Sequence, residues 1–183
     1  MSEKYKVGEG HIPHFITCTV VNWIDVFTRR EYKDIVVDSL KYCCGHKGMR
    51  LHAFCIMSNH IHLIVSSLDQ KLNEIIRDFK KFTSKEIVAY LQKEQESRKD
   101  WILPMLKEAA DRTKRGKIFR LWQDGFHPIE LNTPSLQDQK LEYVHDNPVK
   151  AGIVWLPEEY VYSSASNYAG RDSVIDIYVY AIQ

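Results

Sequence analysis

Apolar and polar positions alternate and cluster along the chain in a readable order. Residues His14 to Asn22, "HFITCTVVN", are rich in β-branched side chains, which predicts a strand. Thr28-Arg29-Arg30-Glu31 has the capping-box pattern of a helix start. Tyr32, Val36, Leu40 and Cys43 follow at helical spacing, and Gly45 or Gly48 is placed to end that helix. Leu51 to Met57 and His60 to Ser66 read as two strands joined by a tight turn at Ser58-Asn59, where Asn tolerates positive φ. Asp69 is placed to cap a long helix with Leu72, Ile75, Ile76, Phe79, Phe82 and Ile87 along one stripe.

The chain then turns polar from about Gln92 to Gly116, an excursion from the core with a short helix expected after Pro104. Lys117 to Trp122 and Phe126 to Leu131 read as short strands around Gln123-Asp124-Gly125, and Pro128 demotes the second to an edge strand or loop. Thr133-Pro134 starts a further helix, with Thr as N-cap and Pro at the first helical position. Its expected end is near Asp146, ahead of Pro148. The tail carries Tyr160, Tyr162, Tyr168, Tyr178 and Tyr180 and is expected to pack on the domain. The order is strand, helix, strand, strand, helix, strand, then a helix. That predicts an α+β fold with a ferredoxin-like βαββαβ core: an antiparallel sheet with helices on one face, plus a late helix.

At 183 residues the chain suits one domain, 1–183, with a sizeable core. It is 44% hydrophobic and 27% charged, with a formal net charge of +1, so any nucleic-acid binding must come from local clusters and not from a global field. The four cysteines, Cys18, Cys43, Cys44 and Cys55, form no C-x-x-C pair and read as buried small hydrophobes. No apolar run is long enough to span a bilayer and no apolar leader opens the chain, so a cytoplasmic location is expected.

Two stretches carry candidate chemistry. In "MSNHIHLIV", Met57 to Val65, alternation on a strand sends His60 and His62 to one face while Ile61 and Leu63 point into the core. Two neutral imidazoles side by side can bind a metal bidentately, but a catalytic site needs at least one further protein ligand. A chain of this length is too short for a TIM-barrel hydrolase. No glutamate follows the pair closely, as a cupin requires. In "LEYVHDNPVKAGIV", Leu141 to Val154, Tyr143 and Asn147 lie four apart, on the same helix face. Tyrosine offers a nucleophile and Asn a neutral oxygen ligand. Equally, Tyr143 fits an amphipathic helix edge and Asn147 a helix stop. His145 falls on a different side.

"MSNHIHLIV" followed by "YVHDNPVKAGIV" resembles the single-tyrosine transposases of the HUH superfamily, and among them the REP-associated tyrosine transposases. "LWQDGFHPIEL" (Leu121 to Leu131) and "YVYSSASNYAG" (Tyr160 to Gly170) resemble that group in order and spacing. The resemblance implies a DNA transposase that cuts and rejoins single-stranded DNA through a 5′-phosphotyrosine. Tyr143 is the implied nucleophile, and His60, His62 and Asn147 the implied ligands of one Mg²⁺ or Mn²⁺. Glutamine stands in some relatives where this chain has Asn147. The implied partner is single-stranded DNA with a hairpin beside the cleavage point, bound by a monomer or a homodimer. Candidate phosphate contacts are Arg77, Lys80, Lys81 and Lys85 on the second long helix, with Arg112, Lys114, Arg115, Lys117 and Arg120 in the basic run that follows. Two other readings keep the same residues: a domesticated nucleic-acid-binding protein that no longer cuts, and a small metal-dependent hydrolase that uses water in place of Tyr143.

Overall fold

A computed structural model describes residues 12–68, 72–93, 95–113, 116 and 118–179. The elements are β1 (His14–Thr19), α1 (Arg30–His46), β2 (Met49–Ile56), β3 (His60–Ser67), α2 (Leu72–Leu91), α3 (Lys99–Asp111), β4 (Ile129–Glu130), α4 (Pro134–Lys150) and the short α5 (Ala165–Tyr168). The sheet order is β2-β3-β1-β4 with every neighbouring pair antiparallel. This is the expected ferredoxin-like arrangement, in which β3 is threaded between the two strands that α1 connects.

The sheet's two faces are divided by the two-residue period. Cys18 stands opposite Ile61 and Ile16 opposite Leu63, all buried, on the face toward α1 and α2. Lys80 of α2 lies close enough to Cys18 to act on it electrostatically. Phe15, Thr17, His60 and His62 occupy the other face, where α4 lies across β2 and β3. β2, an edge strand, is paired on its free side by the C-terminal segment: Ile56 N–H donates to Tyr162 O at 2.9 Å, Ser164 N–H to Phe54 O at 2.9 Å and Tyr178 N–H to Leu51 O at 2.8 Å. The aromatic tail therefore does pack on the domain and closes an edge that otherwise exposes a row of backbone groups. Tyr160 and Tyr162 are buried there, with their hydroxyls on Ile56 O and Asp34 Oδ1. Tyr180 lies outside the described residues.

Several expected boundaries move, each for a local reason. β1 stops at Thr19, and Val21–Trp23 forms a 3-10 turn. Thr28 does not cap α1: its hydroxyl donates to Asp25 O and accepts from Arg98 Nη1 at 2.6 Å, so Arg29 takes the N-cap position. Gly48, at φ +70°, stands just after α1. Asp69, the expected cap of α2, lies outside the described residues. Phe82 is half exposed, in the cleft beside Tyr42 and Lys47. α3 begins at Lys99 and runs through Pro104, because Ile102, Leu106, Ala109 and Ala110 form a buried stripe across it. The strand expected at 117–122 reduces to a single bridge, Val20 to Trp122, and that expected at 126–131 to Ile129–Glu130.

Thr133 does cap α4, accepting from Leu136 N–H at 3.3 Å with Pro134 in the first turn. The helix does not stop at Asp146. It passes through the buried Pro148 and ends in a Schellman turn, with Ile153 N–H on Pro148 O, Gly152 N–H on Val149 O and Gly152 at φ +69°. No helix among the described residues is long and apolar enough to cross a membrane.

Candidate active site

The site is built where the centre of the sheet meets α4. Strand alternation places the His60 and His62 rings 4.7 Å apart on one face. Across the β1–β3 ladder Thr17 is the partner of His62, and its Oγ1 lies 2.9 Å from His62 Nδ1. Phe15, two residues back on β1, stacks on the His62 ring at 5.5 Å. From α4, Tyr143 packs its ring against His62 at 5.2 Å and against Phe15 at 5.7 Å, while staying 41% exposed. Lys140, one turn earlier, holds its ammonium 5.5 Å from the Tyr143 ring centre and 5.1 Å from that of Phe15.

Each imidazole is oriented through Nδ1. His60 Nδ1 is 2.7 Å from Asn59 Oδ1, and the Asn59 amide donates in turn to Asp25 Oδ1 at 2.9 Å. An amide oxygen only accepts, so His60 carries its proton on Nδ1 and leaves Nε2 as a bare lone pair. When His62 donates to Thr17, its Nε2 is bare as well. That atom is buried and makes no hydrogen bond of good geometry. Burial, and secondly the neighbouring His60, push the His62 pKa down to about 3, and burial also lowers that of His60. Both rings are therefore neutral at pH 7 and able to ligate.

An orphaned buried nitrogen beside a second bare imidazole fits a borderline divalent cation. Among the described residues no group of three His, Cys, Asp or Glu side chains comes together to hold a metal. The next available ligand is the Asn147 amide on α4, a weak side-chain hydrogen-bond partner of His62 that works against the lowering of its pKa, and that donates through Nδ2 to Tyr143 O at 2.6 Å. Its oxygen suits a hard ion. The continuation of α4 through Pro148 keeps Asn147 on the helix, one turn beyond Tyr143.

His145, on the same helix, is not in this cluster. It bonds Ser164 Oγ at 2.8 Å, and Ser164 is itself held by Phe54 N–H, so His145 pins α4 to the edge of β2. Thr17, Phe15 and Lys140 surround the candidate atoms but carry no motif of their own, and Asn59 joins them although the sequence marks it only as a turn residue. Only the strand register, which a linear reading does not supply, brings Thr17 and Phe15 to His62.

The candidate phosphate contacts divide. Arg77, Lys80, Lys81, Lys85 and Arg120 line one groove of about 810 Å³ between α2 and residues 118–126. Lys80 is engaged in it, donating to Gln123 O and Gly125 O at 2.8 Å each, and Arg120 pairs with Asp124 at 3.0 Å. The groove's wall reaches the site's edge, since Gln123 N–H donates to Thr19 O and Thr19 stands opposite His60. Arg112 is instead bound to Glu108 on α3 at 2.6 Å. Lys114, Arg115 and Lys117 lie outside the described residues.

The comparisons with known proteins agree with this architecture. The family model described as "Transposase IS200 like" matches residues 9–104, a span that takes in His60 and His62 and ends before α4. A Haemophilus influenzae protein named "Putative REP-associated tyrosine transposase" is 30% identical over 151 residues, covering 81% of this chain and 74% of that protein. The solved structure of a REP-associated tyrosine transposase bound to a REP hairpin superposes with a TM-score of 0.63 at 16% identity, over 100% of this chain and 94% of that one. The chain belongs to the IS200-like transposase family.

Two predictions follow from the histidines. His52, His62 and His145 have folded pKa values near 4, 3 and 4, chiefly through burial. The unfolded chain binds protons on them below about pH 6.5 while the folded chain does not, so stability falls as pH drops below that point. Each contributes up to about 1.4 kcal/mol per pH unit until its folded pKa is reached, measurable as a falling urea midpoint between pH 7 and 5. Secondly, Thr17→Val removes the acceptor that orients His62 while keeping shape. Mn²⁺ affinity should fall by roughly 10–100-fold, read by calorimetric titration, with the fold retained by circular dichroism.

Proposed function

We propose that the whole chain acts as one HUH-type domain, a DNA transposase that cleaves and rejoins single-stranded DNA through Tyr143. His60, His62 and Asn147 would hold one Mg²⁺ or Mn²⁺. The observation that carries this reading is the contact of an exposed tyrosine with a buried imidazole whose Nε2 makes no hydrogen bond of good geometry. A metal bound there supplies Lewis-acid polarisation of the scissile phosphate.

The chain's own residues account for the rest. Tyr143 Oη attacks phosphorus, the P–O3′ bond breaks, and the products are a 5′-phosphotyrosine and a free 3′-hydroxyl. The phenolic proton is lost to solvent, which the exposure of Tyr143 permits, and the departing 3′-oxygen takes up a proton from water. Lys140, beside the Tyr143 ring, offsets negative charge gathering around the phenol and phosphate. In the rejoining step a 3′-hydroxyl attacks the phosphotyrosine and releases Tyr143. One phosphodiester-type bond replaces another, so no nucleotide cofactor is consumed.

Tyr143 packs against His62 of its own chain, which supports a single copy as the active unit. The groove of Arg77, Lys81 and Lys85 is a candidate track for the phosphate backbone of a hairpin-bearing strand.

The test is incubation with single-stranded hairpin oligonucleotides from the gene's flanks and Mg²⁺ or Mn²⁺, followed by denaturing gels and mass spectrometry. A covalent adduct on Tyr143 is expected. Tyr143→Phe should abolish it while DNA binding persists, and His62→Ala should lower its rate by roughly 100-fold or more. Cleavage without an adduct would identify a hydrolase that uses water. Binding with neither would identify a domesticated binder.

A further inference from the structure

Beside His60 the chain does something costly. Asn22 and Trp23 both adopt positive φ, +54° and +55°. Asn visits this region readily, but a bulky residue such as Trp does so only when the surroundings force it. Here they do. Val20 N–H donates to Asn59 O at 2.9 Å and Phe27 N–H to Ser58 O at 2.8 Å, so the 20–27 segment is stitched to the β2–β3 turn at both ends. Val21, Ile24, Val26 and Phe27 are buried as anchors. Asn59, the residue that orients His60, also reaches Trp23 O at 3.4 Å.

The result is a fixed backbone that presents one large aromatic side chain outward. Trp23 is 60% exposed, and its ring centre lies 6.0 Å from that of His60. Folding gains little from an indole left in water, and strained backbone maintained at a site indicates use.

The order of rings defines that use. Tyr143 contacts His62, His62 contacts His60, and His60 contacts Trp23. Attacking and leaving oxygens stand on opposite sides of phosphorus in an in-line displacement. With Tyr143 at the His62 end, the departing 3′-oxygen belongs at the His60 end, toward Trp23. We infer that Trp23 is a stacking platform for the nucleobase immediately 5′ of the cleaved phosphate, holding the nucleotide that leaves with the 3′-hydroxyl and returns to attack in rejoining. This rests on the strand-transfer reading above. An indole face accepts any base, so the contact positions the strand and does not by itself choose a sequence.

The test uses the full-length Tyr143→Phe protein, which binds without cutting, and the same flank oligonucleotides with 5-iodouracil moved one position at a time. Photocrosslinked peptides are mapped by mass spectrometry, and the cut position comes from the wild-type adduct. The expected result is a crosslink to Trp23 that peaks at the nucleotide just 5′ of the cut. In parallel, Trp23→Ala should slow adduct formation about tenfold, and Trp23→Phe should retain most of the rate. An abasic nucleotide at that position should slow the wild type by a similar factor and leave Trp23→Ala unchanged. A normal adduct with no Trp23 crosslink, or with one peaking elsewhere, overturns the platform and leaves the strand-transfer reading standing. Absence of any adduct in the wild type overturns both.

Discussion

Thr17 stands opposite His62 in the central ladder of the sheet, and the site depends on that pairing. The register of β1 against β3 decides which face His62 takes, what fixes its Nδ1 and therefore what its Nε2 is free to do. A slip of one residue would send both histidines into the α1–α2 core and bring Ile61 and Leu63 out. The register is held by the burial of Ile16, Cys18, Ile61 and Leu63 on the far face. The hydrophobic core thus specifies the position of two polar rings on the opposite face.

Against that fixed centre, α4 brings Tyr143. Tyr143 is placed by a helix tied down twice: at His145 through Ser164 to the β2 edge, and at its end by the turn at Gly152. The C-terminal segment supplies Ser164 and also closes the β2 edge. This links the aromatic tail to the site through backbone pairing. The polar network around His60 runs through Asn59 to Asp25, and the same Asn59 steadies the strained turn that exposes Trp23. One amide therefore connects an imidazole's tautomer to the backbone of its neighbour.

Much of this was legible in the residues. The βαββαβ order, the outward projection of His60 and His62, the Thr133 cap and the packing of the tail follow from periodicity and turn chemistry. The chain's departures come from competition that a linear pattern does not contain. Pro148 suggested a helix stop, but the ring is buried and the helix carries Asn147 and Lys150 beyond the expected end. Thr28 looked like a cap until Arg98, distant in sequence, claimed its hydroxyl. Phe15, Thr17 and Lys140 had no motif, because their significance is cross-strand or cross-element. Trp23 lies just past the expected strand of His14 to Asn22, and nothing in the residue pattern marks its positive φ.

We propose that the two imidazoles on β3 bind a divalent cation beside Tyr143. The most direct measurement is pulsed electron paramagnetic resonance on the protein loaded with one equivalent of Mn²⁺, reading nitrogen couplings to the metal. Coupling from two imidazoles is expected, reduced to one in His60→Ala or His62→Ala, with Mn²⁺ binding weakened in both. A spectrum lacking imidazole nitrogen, or unchanged in those variants, would contradict it.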